Sequence, residues 1–351
     1  MSMKIAVYAG TAGHSAWFSE DLGETWVHPN SHSGMYLEAR VWALSSHPDR
    51  PRTLFAGTDQ GLFRWNEDTT RWTALPSPLQ DVWALAHDAD HPDTLFAGTR
   101  PAGLHRSTDG GESWEPCQVP GIADFSTVNM GPTRVTQILQ DPIDGNVFWA
   151  AIEIGGIYHS ADRGLNWTLR ANGLKSMDVH GICALRLPDG RRRLFATTNV
   201  GLHRSDDDGV NWTLQPLDSP WQYTRNVVPR ADTDRIVFLT NGNGPPGNSG
   251  RLLRSEDYGD TWKPLDLPGP LNSTVWMVAT HPHDPLLLFT ATNLGQLFRS
   301  QDGGDTWQRL PHEFGELRAL TWRLADIAPD RPAHSITVRK NNLPPFPKEP
   351  S

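Results

Sequence analysis

Apolar residues in this chain come in short runs, each bounded by Gly, Pro, Asp or Asn, and the runs recur in a fixed order. Val41-Trp-Ala-Leu44 leads to a His-Pro turn at His47, then to Thr53-Leu-Phe-Ala-Gly-Thr58 and Gly61-Leu-Phe-Arg64. The same series returns as Val82-Trp-Ala-Leu85, His91-Pro, Thr94-Leu-Phe-Ala-Gly-Thr99 and Gly103-Leu-His-Arg106. It returns again as Val275-Trp-Met-Val278, His281-Pro, Leu288-Phe-Thr-Ala-Thr292 and Gln296-Leu-Phe-Arg299. Runs this short, rich in aromatic and β-branched residues and closed by turn formers, predict strands A, B and C of a repeating unit. No stretch has the spacing of an amphipathic helix.

Each unit ends on an octet, Ser-x-Asp-x-Gly-x-x-Trp. Six copies are intact, at Ser19–Trp26, Ser107–Trp114, Ser160–Trp167, Ser205–Trp212, Ser255–Trp262 and Ser300–Trp307. A seventh, Trp65–Trp72, keeps the Trp and puts Glu67 at the Asp position. The acidic positions 21, 67, 109, 162, 207, 257 and 302 lie 42 to 53 residues apart, the length of one four-stranded propeller blade. Ser and Asp can satisfy turn amides and Gly can take a positive φ, so the octet reads as the C–D turn, with its Trp folded back as a plug and opening strand D.

The chain begins at a strand B, Lys4–Gly10, and after its last octet supplies an unpaired strand A, Glu316-Leu-Arg-Ala-Leu-Thr-Trp322. Pairing the two closes a ring and removes exposed sheet edges. The expectation is an all-β chain: one seven-bladed propeller over residues 1–323, and a polar, Pro-rich tail over 324–351.

Composition narrows the partners. Of 351 residues 15 are Trp, most at repeat positions, which concentrates burial capacity in a few large rings. Net charge is -9, and the one basic run, Arg191–Arg193, sits in a turn, so no nucleic-acid face is expected. Cys117 and Cys183 have no ligand or disulfide spacing and fit a reducing compartment. No apolar run could span a bilayer and none resembles a leader. A cytoplasmic monomer without membrane contact, metal or cofactor is expected.

The octets resemble the Asp-box, or BNR repeat, of sialidases and related propellers, over roughly residues 3–323. Sialidases imply six blades, an arginine triad for the substrate carboxylate, a Tyr nucleophile helped by Glu, and an Asp acid/base. Their Arg-Ile-Pro signature is absent, the nearest string being Arg235-Ile-Val, and the blade count differs; both argue against sialidase activity. The pattern is more similar to non-sialidase members, the photosystem-assembly-factor-like and sortilin-like propellers, most of which are implied to bind proteins. The resemblance specifies fold more than function.

If the octets mark one face, the D–A connections and B–C turns build the opposite mouth, where ligands usually sit. The D–A connections present Glu38, Arg40, Asp81, Arg134, Asp178, His180, Arg225, Glu316 and Arg318. Arg40, Arg134, Arg225 and Arg318 fall at nearly equivalent strand-A starts in alternate blades. Converging guanidiniums suit a carboxylate ligand, and pairing with neighbouring acids is the plainer alternative. The B–C turns present Asp59, Arg100 and Glu153 among others. Glu153 interrupts the apolar run Ala150–Gly155, so it is either a desolvated general acid or the partner of a mouth arginine. Tyr223, beside Trp221 and Arg225, is the tyrosine best placed for the mouth. Asn241–Gly250 and Phe125–Thr133 are long excursions towards that face. The repeat histidines read as structural: His47, His91 and His281 in the A–B turns, His105, His159 and His203 at one strand-C position.

Two functions follow. One is a binding or scaffold propeller taking a protein partner or a small anionic or carbohydrate ligand at the mouth. The other is a glycoside hydrolase using Glu153 or another mouth carboxylate on an acidic sugar.

Overall fold

The computed structural model describes residues 4–325 apart from 48, 49, 51 and 129, and among them there is no helix. Seven antiparallel sheets follow one another, six of four strands and one of three. Each innermost strand touches the innermost strands on either side, from Val41–Ser46 round to Leu317–Leu324 and back, so the seven sheets close a ring. The expected seven-bladed propeller is the observed fold.

Closure is made by the last strand. Leu317–Leu324 pairs antiparallel with Ile5–Thr11, setting Ile5 opposite Leu324 and Val7 opposite Trp322. This blade is the three-stranded one, because its outer strand is reduced to a single bridge between Phe18 and Val27. Leu324 belongs to the closing strand rather than to the expected tail, and the rest of that tail, from 326, lies outside the described residues.

The core is divided into seven apolar clusters, one at each seam between blades. The second strand of every blade is covered on both faces, which is why Leu54–Thr58 and Leu288–Thr292 are buried at every position and read as unbroken apolar runs. The outermost strands are the opposite. Glu115–Pro116, Thr168–Leu169 and Gln308–Arg309 are two residues long and exposed, which leaves little edge for a foreign strand to extend.

The octets hold the seams together. In the last one Ser300 Oγ accepts the Gly304 amide at 2.9 Å, Asp302 accepts the Thr306 amide at 2.9 Å, and the Trp307 indole donates to Gly304 O at 3.2 Å. The Ser and Asp bonds recur in all six intact copies. The Trp bond recurs at Trp26, Trp114 and Trp167, whereas Trp212 donates to Arg170 O of the preceding blade. A second staple is also repeated. The arginine of one blade's third strand pairs with the acid at octet position six of the next, as Arg64–Glu112, Arg204–Asp260 and Arg254–Asp305. Arg299–Glu24, at 2.9 Å, carries the pattern across the closing seam.

Candidate functional site

The strand order puts the octets and A–B turns on one face, and the D–A connections and B–C turns on the other. On that second face every innermost strand carries a β-bulge. The pairing register skips one residue at Trp42, Trp83, Thr136, His180, Trp276 and Arg318, and two at Arg225-Asn226. A bulge breaks strict in–out alternation and re-aims its side chain. Here it does so once per blade, at the strands that line the central channel.

Six side chains from these strands form a ladder round more than half of the channel. The Arg225 guanidinium lies 4.2 Å from the Trp276 ring, and Arg318 lies 5.2 Å from Trp276 and 5.9 Å from Trp42. Trp42 stacks on Trp83 at 3.9 Å, and Arg134 covers the far face of Trp83 at 4.1 Å. Cation–π contacts of this kind are worth about 0.5–2 kcal/mol each, more as water is excluded. On the remaining arc His180 approaches the Thr224 carbonyl at 2.6 Å and the Tyr223 ring at 4.8 Å, with Asp178 3.4 Å from its Nε2.

The cations sense one another. Burial, reinforced by Arg225, Arg318 and Arg100 and opposed by Glu153, holds the Arg134 guanidinium down at about 10. Arg318 is lowered by burial too, with Glu316 opposing and Arg225 adding to it. Asp178 is raised by burial, but the His180 hydrogen bond and the charges of His180, Arg225 and Arg134 outweigh that and keep its carboxyl low. Burial pushes the Tyr223 hydroxyl up.

The expected site residues separate under this geometry. Arg134 is paired with Glu153 and Arg318 with Glu316. For Glu153 this is the second of the two sequence readings: it is a buried counter-ion to a mouth arginine, not a free general acid. Arg225 and Arg40 have no carboxylate partner within ion-pair distance among the described residues. The four arginines are not at one register: Arg40 and Arg134 precede a buried valine, while Arg225 and Arg318 occupy the bulge. Asp59 accepts the Tyr36 hydroxyl at 2.7 Å and the Arg40 amide at 3.0 Å. Glu38 is exposed on the rim.

A cleft of about 760 Å³ opens beside the channel, lined by Arg40, Trp42, Asp59, Asp81, Trp83, Arg100, Arg134 and Arg318 among others. Trp42, Trp83 and Trp276 face the channel, although the repeat pattern groups them with the packing tryptophans. Their signal was present: Val-Trp-Ala-Leu has four apolar residues in succession, which an in–out alternating strand does not need and a bulged one can use.

A family model described as Sortilin-Vps10 (sortilin, neurotensin receptor 3) matches residues 200–342, less than half of the chain. Among solved structures, a GH74 enzyme of Niastella koreensis is 20% identical with a TM-score of 0.60, covering 77% of this chain and 45% of that one. The GH74 xyloglucanase of Xanthomonas campestris is 21% identical, again with a TM-score of 0.60 and the same coverage. YCF48 bound to D1 peptide is 16% identical with a TM-score of 0.56, covering 89% of this chain and 94% of that one. This is a seven-bladed propeller, similar over residues 200–342 to the Sortilin-Vps10 family. It spans less than half the length of the two GH74 enzymes but nearly all of YCF48. At these identities the solved structures speak for the fold. No curated protein matches the sequence.

Proposed function

We propose that this propeller is a binding module that holds a carboxylate-bearing partner at the channel mouth opposite the octets. The observation that carries the proposal is the ladder from Arg225 to Arg134, in which indole faces hold guanidiniums in place while Arg225, Arg40 and Arg100 keep their forks free of carboxylates. A guanidinium already immobilised on a ring loses little further freedom when it grips a carboxylate bidentately. YCF48, which the chain covers almost end to end, has been solved with a peptide, and that supports a polypeptide partner. In this role the protein is a cytoplasmic monomer, a setting that suits the free thiols of Cys117 and Cys183.

The test is binding to an array of acidic and neutral peptides. Wild type is expected to select acidic peptides with strong salt dependence, and Arg225→Gln to lose about tenfold in affinity, or about 1.4 kcal/mol. Selection that ignores charge, or an Arg225→Gln protein that binds as wild type does, rejects the proposal.

One observation favours a second reading, glycoside hydrolysis. The stacked indoles in the cleft offer a sugar platform, Asp81 and Asp59 both line it, and burial raises the Asp81 carboxyl. In that case Asp81, not Glu153, is the acid. Release of reducing ends from xyloglucan or uronic-acid oligosaccharides, abolished in Asp81→Asn, would establish it.

A further inference from the structure

Three of the most exposed large apolar side chains among the described residues lie close together in sequence. Phe125, Val128 and Met130 are 66%, 62% and 52% exposed, and all three belong to the connection leading into the strand of Arg134. Other D–A connections cover Met35, Leu75, Leu79, Leu217 and Phe314, and where they expose an apolar residue (Tyr36, Leu37, Met177) it is 37–41% exposed.

The segment carrying them is nonetheless organised. Thr133 N donates to Asp124 O at 3.0 Å, Ser126 N to Gly131 O at 3.0 Å, and Val128 N to Ser126 Oγ at 3.1 Å, while Phe125 bridges Pro132. It is a small hairpin held by backbone bonds, with its apolar side chains left over. It is also fastened to the cleft, since Arg100 Nε donates to Pro132 O at 3.2 Å. The same Arg100 lines the cleft and acts electrostatically on Arg134.

We propose that Phe125, Val128 and Met130 form an apolar subsite continuous with the arginine cleft, and that the partner is an extended polypeptide segment carrying an acidic group close to bulky apolar side chains. This rests on the binding function proposed above and specifies its ligand. Charge complementarity fixes the acidic end at Arg100, the cleft arginine that touches the hairpin and has no carboxylate partner among the described residues, with Arg225 further round the channel. The apolar end follows because three aliphatic or aromatic side chains on the hairpin that Arg100 fastens gain only by being covered. Carbohydrate fits poorly, since Val128 and Met130 offer no ring to stack on. An anionic membrane fits poorly on a chain of net charge -9 whose only basic run, Arg191–Arg193, lies in a different blade.

The experiment uses the full chain, with circular dichroism confirming that each variant is folded. The probes are labelled ten-residue peptides in four forms: with Asp or Glu beside Leu and Phe, with the acids replaced by amides, with the apolar residues replaced by Ser, and with both changes. Wild type is expected to bind the acidic–apolar form best. The Phe125→Ser/Val128→Ser/Met130→Ser triple variant is expected to bind it about tenfold more weakly, and to bind the two acidic forms alike. Arg225→Gln is expected to lose the acidic preference and keep the apolar one. A triple variant that still prefers the apolar form overturns the subsite while leaving the arginine site standing. A wild type with no acidic preference overturns both proposals. Equal binding of wild type to phosphatidylcholine/phosphatidylserine vesicles with no peptide preference identifies a lipid surface instead and overturns the subsite as a peptide site.

Discussion

The indoles of Trp42 and Trp83 stack at 3.9 Å with 12° between their planes, and both donate N–H to the same oxygen, Oδ1 of Asp81, at 2.8 and 2.9 Å. One carboxylate therefore fixes two rings from adjacent blades. Asp81 takes φ +47, a conformation that Asp and Asn tolerate better than most residues. Asp81→Asn keeps an acceptor and suits the backbone, so the stack should survive. Asp81→Ala leaves two part-buried donors without a partner and should cost about 2 kcal/mol, with a loss of near-UV dichroism from the stacked indoles. The pH dependence separates the two effects. Burial raises the Asp81 carboxyl above 3.8 and the indole bonds oppose it, so the folded state favours the protonated form. That contribution is full below pH 3.8 and is lost as pH rises through the folded value. Urea midpoints from pH 3 to 7 should show wild type losing stability relative to Asp81→Asn on the rising side; parallel curves would contradict this.

Ring closure has its own lock. Arg323, in the closing strand, is fully buried; it reaches Tyr8 Oη at 2.5 Å and pairs with Glu67 of the next blade. Glu67 also accepts the Trp65 indole at 2.8 Å. Removing one partner of a buried pair strands a charge, so Glu67→Ala should cost about 3 kcal/mol in urea unfolding. Breaking the surface staple Arg254–Asp305 by Asp305→Ala should cost about 0.5 kcal/mol. The double variant Glu67→Gln/Arg323→Met should recover part of the loss. Equal effects of Glu67→Ala and Asp305→Ala would show that the eroded octet is not a lock.

The blade count and strand order were legible because they are written seven times, and the eroded Trp65–Trp72 octet still announced its blade. Glu67 looked like a degraded Asp, yet it serves Arg323, which lies 256 residues away in sequence. A repeat pattern encodes contacts within and between equivalent units, and a pair found at only one seam leaves no period to read. The channel shows the same limit. The arginines of the mouth could be read, but not their sorting into paired and free, because that depends on which acid each bulge brings alongside. Glu153 was open to two readings until Arg134 was seen beside it. The indole ladder was hidden because a tryptophan on an innermost strand has the same sequence signature whether it faces a seam or the channel.

The octet carboxylates predict a response opposite to that of Asp81. In the second intact octet the hydroxyl and amide of Ser113, then the Ser107 hydroxyl, hold Asp109 at about 2. In the last, burial raises Asp302, but the hydroxyl and amide of Thr306 outweigh it and leave it also at about 2. Asp21, Asp162, Asp207 and Asp257 are shifted the same way. A lowered folded value stabilises above the unfolded 3.8, and the stabilisation is lost as pH falls from there towards 2. Each group is exposed and screened, so single effects are small and the six act together. Stability should drop steeply below pH 4, and Asp109→Asn/Asp302→Asn should be less stable than wild type at pH 7 and converge with it near pH 2. Failure to converge would mean that the octet acids stabilise through something other than their charged form.

The octet glycine has two independent reasons to be glycine. Gly304 sits at φ +95, where a Cβ is strained, and an added Cβ would stand 2.7 Å from the Phe238 ring of the preceding blade. The same approach recurs at Gly164 against Phe96, Gly209 against Trp149 and Gly259 against Phe195. The turn thus wedges against its neighbour's buried aromatic, which fixes blade to blade as well as strand to strand. Gly304→Ala should therefore cost more than the roughly 1 kcal/mol of backbone strain alone, reaching about 3 kcal/mol with the packing clash. Shrinking the ring tells the terms apart. Phe238→Leu creates space at a cost of its own, and in the double variant Gly304→Ala should be milder than on the wild-type background by about 1 kcal/mol. Strict additivity of the two substitutions in urea unfolding would show that φ alone sets the requirement and that the octet is a turn without being a wedge.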